Sequence, residues 1–356
     1  MNQDRTGRAL PVGTSSGLAR IELVDLRGKT EVDLIKTHVD SARALIANAG
    51  QNMPLAPDWV LRLLLQWADS RSRQWLKRTR NPYLAEIDCL AQIVGVPGVH
   101  ALNCSYEWAC TSGAFATGNS VTMLRILDWP LPGLGEHVLV TRRLGAAGEF
   151  YNVGWPGMSG MLTGMAPRRF CATLNQAPMR NHHLTKLGDW LKNRAIVDQT
   201  EGLPPLHLLR KIFEEACSYR EACVMAATLP VALPVIFCLS GTRPGQGCVI
   251  ERTEHDAVTM ELGFKPHVTA ANQFVSRLNA QGFGWRPRTE HSAQRLALSK
   301  TVEVSDLARD DFGWLKAPMV NELTRLIVLA DAGTGRLVVQ GMAGDRCVSE
   351  LFRLGI

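Results

Sequence analysis

WACTSGAFATGNSVTMLRILD, residues 108–128, reads as two strand-like runs joined by Gly118-Asn119. A two-residue Gly-Asn link between apolar runs is a hairpin signal. A hairpin lays its far strand beside its near one, so Arg125 and Asp128 are expected close to Cys110. A thiol with a cation and a carboxylate beside it is an arrangement that acyl-transfer chemistry uses. The bland reading of a single cysteine is a small buried hydrophobe. Cys104 is also followed by Ser, but it lacks the following Thr and the Arg-x-x-Asp sequel stands at a different spacing from it.

Outward from this hairpin the chain changes character. Upstream, residues 18–26 alternate as a strand. Val32, Ile35, Val39, Ala42, Leu45 and Ile46 form a helical stripe over 31–49, ended by Gly50. Asp58 is expected to cap a Trp-rich helix carrying Trp59, Leu63, Leu64 and Trp67. Pro82 opens another helix, with Gly95 after it. Residues 1–16 read as disordered. Downstream, short β-like runs are expected at 138–142, 150–153, 160–163 and 170–174. A long helix should cover 206–227, followed by strands at 235–239, 247–251 and 257–262. A helix over 292–300 and a closing hairpin at 326–331 and 335–341 complete the pass. Periodicity alone gives an α+β class.

The composition is that of ordinary globular material, with 46% apolar and 20% charged residues in 356. No apolar run is long enough to span a membrane. The first residues, Met1-Asn2-Gln3-Asp4-Arg5, are polar, so no signal peptide is read and a cytoplasmic setting is expected. Nine cysteines are scattered without C-x-x-C or metal-like spacing. No phosphate loop, dinucleotide fingerprint or zinc-ligand cluster appears, so no cofactor and no metal is expected. The net charge of +6 is modest. Its local basic run, Arg71, Arg73, Lys77, Arg78 and Arg80, is a solvated helix end or an attraction to an anionic membrane surface. Nucleic acid is not expected, since no binding motif accompanies the charge.

Cys110-Thr111-Ser112 followed by Arg125-x-x-Asp128 resembles the cysteine-type N-terminal-nucleophile hydrolases, nearest to the acid ceramidase and N-acylethanolamine acid amidase branch. The segments 83–87 (YLAEI) and 102–107 (LNCSYE) resemble what precedes the nucleophile in that branch. The resemblance covers roughly residues 80 to 345 and implies a four-layer αββα sandwich. It also implies a cut between Ala109 and Cys110, leaving a mainly helical segment 1–109 and a catalytic segment 110–356. The freed α-amine, with a reference pKa of about 7.7–8.0, would then take the thiol's proton without a histidine.

The remaining roles follow the same resemblance. Arg125 would favour the thiolate and Asp128 would hold the α-ammonium group. Asn175, after Gly160-Met161-Leu162-Thr163-Gly164-Met165, and Asn272 would supply an oxyanion site. Arg295, in a Ser-x-x-Arg helix start at Ser292, would support it electrostatically. Trp155, Met158 and Met161 would border an acyl pocket. Gln176 stands where the ceramidase branch has Glu, and Arg125 and Asp128 lie one residue nearer the cysteine than the family pattern has them. The implied activity is hydrolysis of a small non-peptide acyl amide, fatty-acyl in the first instance. An acyltransferase on the same scaffold and a non-catalytic interaction protein remain open, as does the oligomeric state.

Overall fold

In the computed structural model the described residues are 17–51, 57–106, 108–285, 291–309 and 311–355. The expectations for residues 1–16 lie outside them. Strand β1 (Glu22–Asp25) is followed by four helices: α1 (Glu31–Gln51), α2 (Asp58–Arg78), α3 (Leu84–Val94) and α4 (Val99–Asn103). The hairpin comes next as β2 (Ala109–Thr117) and β3 (Ser120–Asp128), joined by a two-residue turn in which Gly118 takes a φ of 66°. Glycine accepts that left-handed conformation without a Cβ penalty.

β4 (Leu139–Gly145), β5 (Gly148–Gly154), β6 (Thr163–Ala166), β7 (Phe170–Gln176) and β8 (Met179–Arg180) lead into α5 (Lys186–Gln199), α6 (Pro205–Glu215) and α7 (Tyr219–Thr228). β9 (Val235–Ser240), β10 (Gly247–Arg252), β11 (Ala257–Glu261), β12 (His267–Ala270) and β13 (Phe283–Trp285) precede α8 (Ser292–Ser299) and α9 (Val304–Leu307). The chain closes with β14 (Thr324–Asp331), β15 (Arg336–Ala343), β16 (Arg346–Cys347) and β17 (Phe352–Leu354).

Among the described residues the strands make two large sheets. The first runs β1-β4-β5-β6-β7-β9-β10-β11, and the second β12-β2-β3-β14-β15-β16, with β17 also on β15. Inner strands β2 and β3 pack against β7 and β9, burying the main apolar core between the sheets. Helices α6 and α7 cover the outer face of the first sheet, while α8 and α9 cover that of the second. The order helix, sheet, sheet, helix is the expected αββα sandwich. The boundary at Ala109/Cys110 does not divide two folding units, because β1 from the N-terminal segment pairs in parallel with β4.

Several local expectations are corrected. The single helix over 206–227 is two, because Ala216 turns extended (ψ 117°) and Ser218 caps α7 by accepting from the Glu221 amide at 3.2 Å. The Ser218-x-x-Glu221 pattern is a capping signal visible in the sequence. α2 has Pro57 at its N-cap and Asp58 as its first residue, so Asp58 is not the cap. α1 continues through Gly50 to Gln51. The first strand shortens to Glu22–Asp25, and β6 starts at Thr163 rather than at Gly160.

Candidate active site

The pleat decides which residues meet. In the β2–β3 register Cys110 opposes Leu127 and Ser112 opposes Arg125. Alternation therefore puts Cys110, Ser112 and Arg125 on one face of the second sheet, and Thr111 and Asp128 on the other. The first face looks into the core between the sheets. There the Cys110 Sγ lies 3.9 Å from the Leu174 carbonyl oxygen of β7. Arg125 Nη1 donates to that same carbonyl at 2.8 Å and to Asn175 Oδ1 at 2.8 Å. The second face is covered by α8, whose Arg295 donates to Thr111 Oγ1 at 3.0 Å and to the Cys110 carbonyl.

Asn272 joins the two faces. β12 pairs with β2 only as far as Ala270↔Ser112, two residues short of Cys110. With the strand partner gone, the Cys110 amide N–H donates to Asn272 Oδ1 at 2.8 Å. Arg295 Nη2 donates to the same oxygen at 2.8 Å, and Asn272 Nδ2 donates to the Gln176 carbonyl at 2.9 Å. Two donors on one side and an acceptor on the other leave a single amide orientation that satisfies all three. Asn175 is likewise set, with Arg125 on its oxygen and the Ala270 and Ala271 carbonyls taking its Nδ2.

Cys110, Arg125, Asn175, Asn272 and Arg295 are thus one bonded cluster, all buried. Asp128 adjoins it, with Oδ2 3.7 Å from Arg295 Nη1, and is held by Thr324 Oγ1 at 2.7 Å and Asn321 Nδ2 at 2.9 Å. Two expected roles look different in this geometry. In the uncut chain Asn272 meets Asp128's expected task, taking up the nitrogen of Cys110. The Nδ2 groups of Asn175 and Asn272, expected to face an oxyanion, are committed to backbone carbonyls. Ser292 is no N-cap. His291 occupies that position, and Ser292 Oγ instead accepts from the Asn272 amide N–H at 3.1 Å.

Burial pushes the Cys110 thiol up to about 11, with Arg125 and Arg295 pulling it down and Asp128 opposing them. The Gln176 backbone N–H also lies near the sulfur and favours its thiolate. Burial raises the Asp128 carboxyl above its ordinary range, and Arg295, Thr324 and Asn321 counter the rise. Two nitrogens of Arg125, Nε and Nη2, are buried and have no hydrogen-bond partner.

Residue patterns carried Thr111 only as part of the Cys-Thr-Ser run and gave no role to Asn321, Thr324 or the Gln176 backbone. Thr111 follows the nucleophile directly and was the one visible signal. The others depend on distant strands.

A cavity of about 240 Å³ opens beside the cluster, lined by Trp75, Trp190, Met179, Leu233, Tyr106 and Gln176 among others. Tyr106 and Gln176 bring it against the nucleophile. Trp155, Met158 and Met161 do not line it. They are packed in the same core as Cys110, with Trp155 edge-on to Trp129 at 6.1 Å. Of the basic run, Arg71 pairs with Asp198 and Arg73 with Asp88. Among the described residues no helix is long and apolar enough to cross a membrane, and no group of three or more His, Cys, Asp or Glu side chains is placed to hold a metal.

Two stacked sheets between helix layers, with a buried cysteine on an inner strand, are the sandwich that the sequence resemblance implies. The chain is 31% identical to acid ceramidase of Heterocephalus glaber over 109 residues, 31% of this chain and 26% of that protein. It is 30% identical to acid ceramidase of Mus musculus over 217 residues, 55% of this chain and 53% of that protein. It therefore spans about half, or less, of the curated relatives it matches. Among solved structures, a Caenorhabditis elegans N-acylethanolamine-hydrolyzing acid amidase ortholog superposes with a TM-score of 0.46 at 18% identity, covering 63% of this chain and 93% of that one. A conjugated bile acid hydrolase mutant from Clostridium perfringens gives 0.44 at 10% identity, covering 69% and 92%. No family model matches the chain. The sequence similarity is to proteins named acid ceramidase, over about half of their length or less.

Proposed function

We propose that this chain is an amidase that cuts itself between Ala109 and Cys110 and then hydrolyses fatty-acyl amides with the thiol of Cys110. The observation that carries the reading is the hold of Asn272 Oδ1 on the Cys110 nitrogen at 2.8 Å, with the sulfur turned to Arg125's side of the sheet. In the first stage the sulfur attacks the Ala109 carbonyl and the peptide bond to the Cys110 nitrogen breaks. Water then releases the N-terminal segment's carboxylate. In the second stage Asn272 keeps the new α-amine beside the sulfur, and the amine's lone pair takes the thiol proton. The thiolate attacks the substrate carbonyl, the amine leaves with that proton, and water hydrolyses the thioester.

The free nitrogens of Arg125 and the Gln176 N–H are the donors available to developing negative charge. The aromatic and aliphatic cavity beside Gln176 supports a long-chain acyl group, as does similarity to proteins named acid ceramidase.

Intact mass spectrometry tests the first stage. Wild type should yield pieces of 109 and 247 residues (356 − 109), and Cys110→Ala should stay whole and fail to release fatty acid from an acyl amide. An uncut wild type that is still active would remove the α-amine from the mechanism.

Exposed Trp59, Leu63 and Trp67 on α2 and exposed Leu187 and Leu191 on α5 lie on the two helices that line the cavity. With the basic end of α2, they support docking on an anionic lipid surface. Co-flotation with phosphatidylserine vesicles should be lost in Trp59→Ser/Trp67→Ser, and flotation that persists in the double variant would refute it. The nine cysteines, all free thiols here, support a reducing, cytoplasmic setting.

A further inference from the structure

Helix α7 and strand β10 bring two thiols together that the proposed reaction does not use. Cys223 Sγ lies 3.5 Å from Cys248 Sγ. Cys223 is partly exposed on the helix, whereas Cys248 is buried on the strand. Tyr219, one turn before Cys223, sits beside both sulfurs. Cys248 faces α7 on the outer face of the first sheet, and Cys110 faces the opposite, inner side of that sheet. The flanking strand β10 is paired on both edges, with Cys248 opposite Leu239 and Glu261. Only the helix has to move for the sulfurs to reach the roughly 2.04 Å of a disulfide.

We propose that Cys223 and Cys248 form a reversible redox site that closes to a disulfide on exposure to peroxide. The Cys223 thiolate attacks one peroxide oxygen, the O–O bond breaks, and the departing hydroxide takes up a proton as water. Cys223 is then a sulfenic acid. The Cys248 sulfur attacks the Cys223 sulfur, the S–O bond breaks, and the second hydroxide leaves with the Cys248 proton as a second water. Two thiols and one peroxide thus become one disulfide and two waters. The partly exposed Cys223 is the sulfur that meets the oxidant, and Cys248 and Tyr219 beside it hold its pKa below the ordinary thiol value. The enclosed Cys248 resolves the sulfenic acid before further oxidation. The bond pins α7 to the sheet across a sequence separation of 25 residues.

The test uses the full wild-type chain, treated with graded hydrogen peroxide, quenched with N-ethylmaleimide and mapped as peptides. A peptide joining Cys223 to Cys248, two hydrogens lighter and opened by dithiothreitol, is expected before the buried Cys171 and Cys238 react. The oxidised protein should melt roughly 2–5 °C higher, and Cys223→Ser should abolish the shift. Sulfinic acid at Cys223 without the link, pairing of Cys223 with the exposed Cys217, or persistence of both sulfurs as alkylated thiols would each overturn the proposal. Because the mapping is done on wild type, it does not depend on any variant folding.

Discussion

Asn272 has more consequences than any other side chain near Cys110. Its amide oxygen receives two donors, the Cys110 N–H and Arg295 Nη2, and its nitrogen is bonded to the Gln176 carbonyl. Asn272→Ala leaves a backbone N–H and a guanidinium N–H buried without an acceptor. Such groups cost about 1–3 kcal/mol each, so a clear drop in melting temperature is expected. Losing the hold on the Cys110 nitrogen should slow both self-cleavage and turnover roughly a hundredfold. The two effects separate by measuring cleavage in crude and thermally selected fractions. Undiminished cleavage in folded Asn272→Ala would show that the asparagine only supports packing. In sequence, Asn272 was legible as a site residue, but the direction of its amide was not. That direction depends on β12 stopping at Ala270, a property of strand pairing rather than of the Thr-Ala-Ala-Asn run.

At the scale of elements, the five-residue α4 shows how a marginal helix is held. Asp69 of α2 accepts from the Gly98 N–H at 2.7 Å and the Ala101 N–H at 2.9 Å, taking up amides at the helix start. His100 of α4 sits between Asp69 and Asp88 of α3, with Nε2 2.8 Å from Asp88 Oδ1, and Arg73 of α2 bonds the same carboxylate at 2.7 Å. Burial works against the imidazolium, but the two carboxylates outweigh it and raise His100 above its ordinary 6.5. A raised pKa means the folded state holds the proton more tightly. The stabilisation is full below about pH 6.5 and disappears as pH rises through the folded value. Melting temperature should therefore fall in wild type as pH rises above about 6.5, and His100→Gln should flatten that slope. Equal slopes in the two proteins would show that other groups set the pH response. None of this was legible in the sequence, where His100 and Asp88 sit in separate helices with no shared motif.

Over the whole molecule, the two expected segments are locked by part-buried polar contacts as well as by the shared core. Arg210 of α6 reaches Glu86 of α3 at 2.5 Å and Glu214 at 2.8 Å, and Tyr83 donates to Glu214 at 2.8 Å. Removing Arg210 leaves two part-buried carboxylates short of a donor, at about 1–3 kcal/mol. Arg210→Met should lower the urea midpoint markedly. After cleavage, it should let the 109-residue piece separate at denaturant concentrations where wild type stays paired. Size-exclusion chromatography in graded urea reads this directly, and co-elution at every concentration would show that the apolar core alone holds the halves.

By itself the sequence determined that Cys110 heads a strand and that Arg125 and Asp128 lie on the strand beside it, because a two-residue turn sets hairpin register locally. It also carried the α+β class, since hydrophobic periodicity is written residue by residue. Only the tertiary structure decided that the Cys110 and Arg125 face looks into the core while the Asp128 face lies under α8, that Asn272 faces the Cys110 nitrogen, and that the cavity is walled by α2 and α5 rather than by Trp155, Met158 and Met161. Those outcomes depend on which strand ends where and which helix covers which face, and contacts between distant parts of the chain leave no local pattern to read.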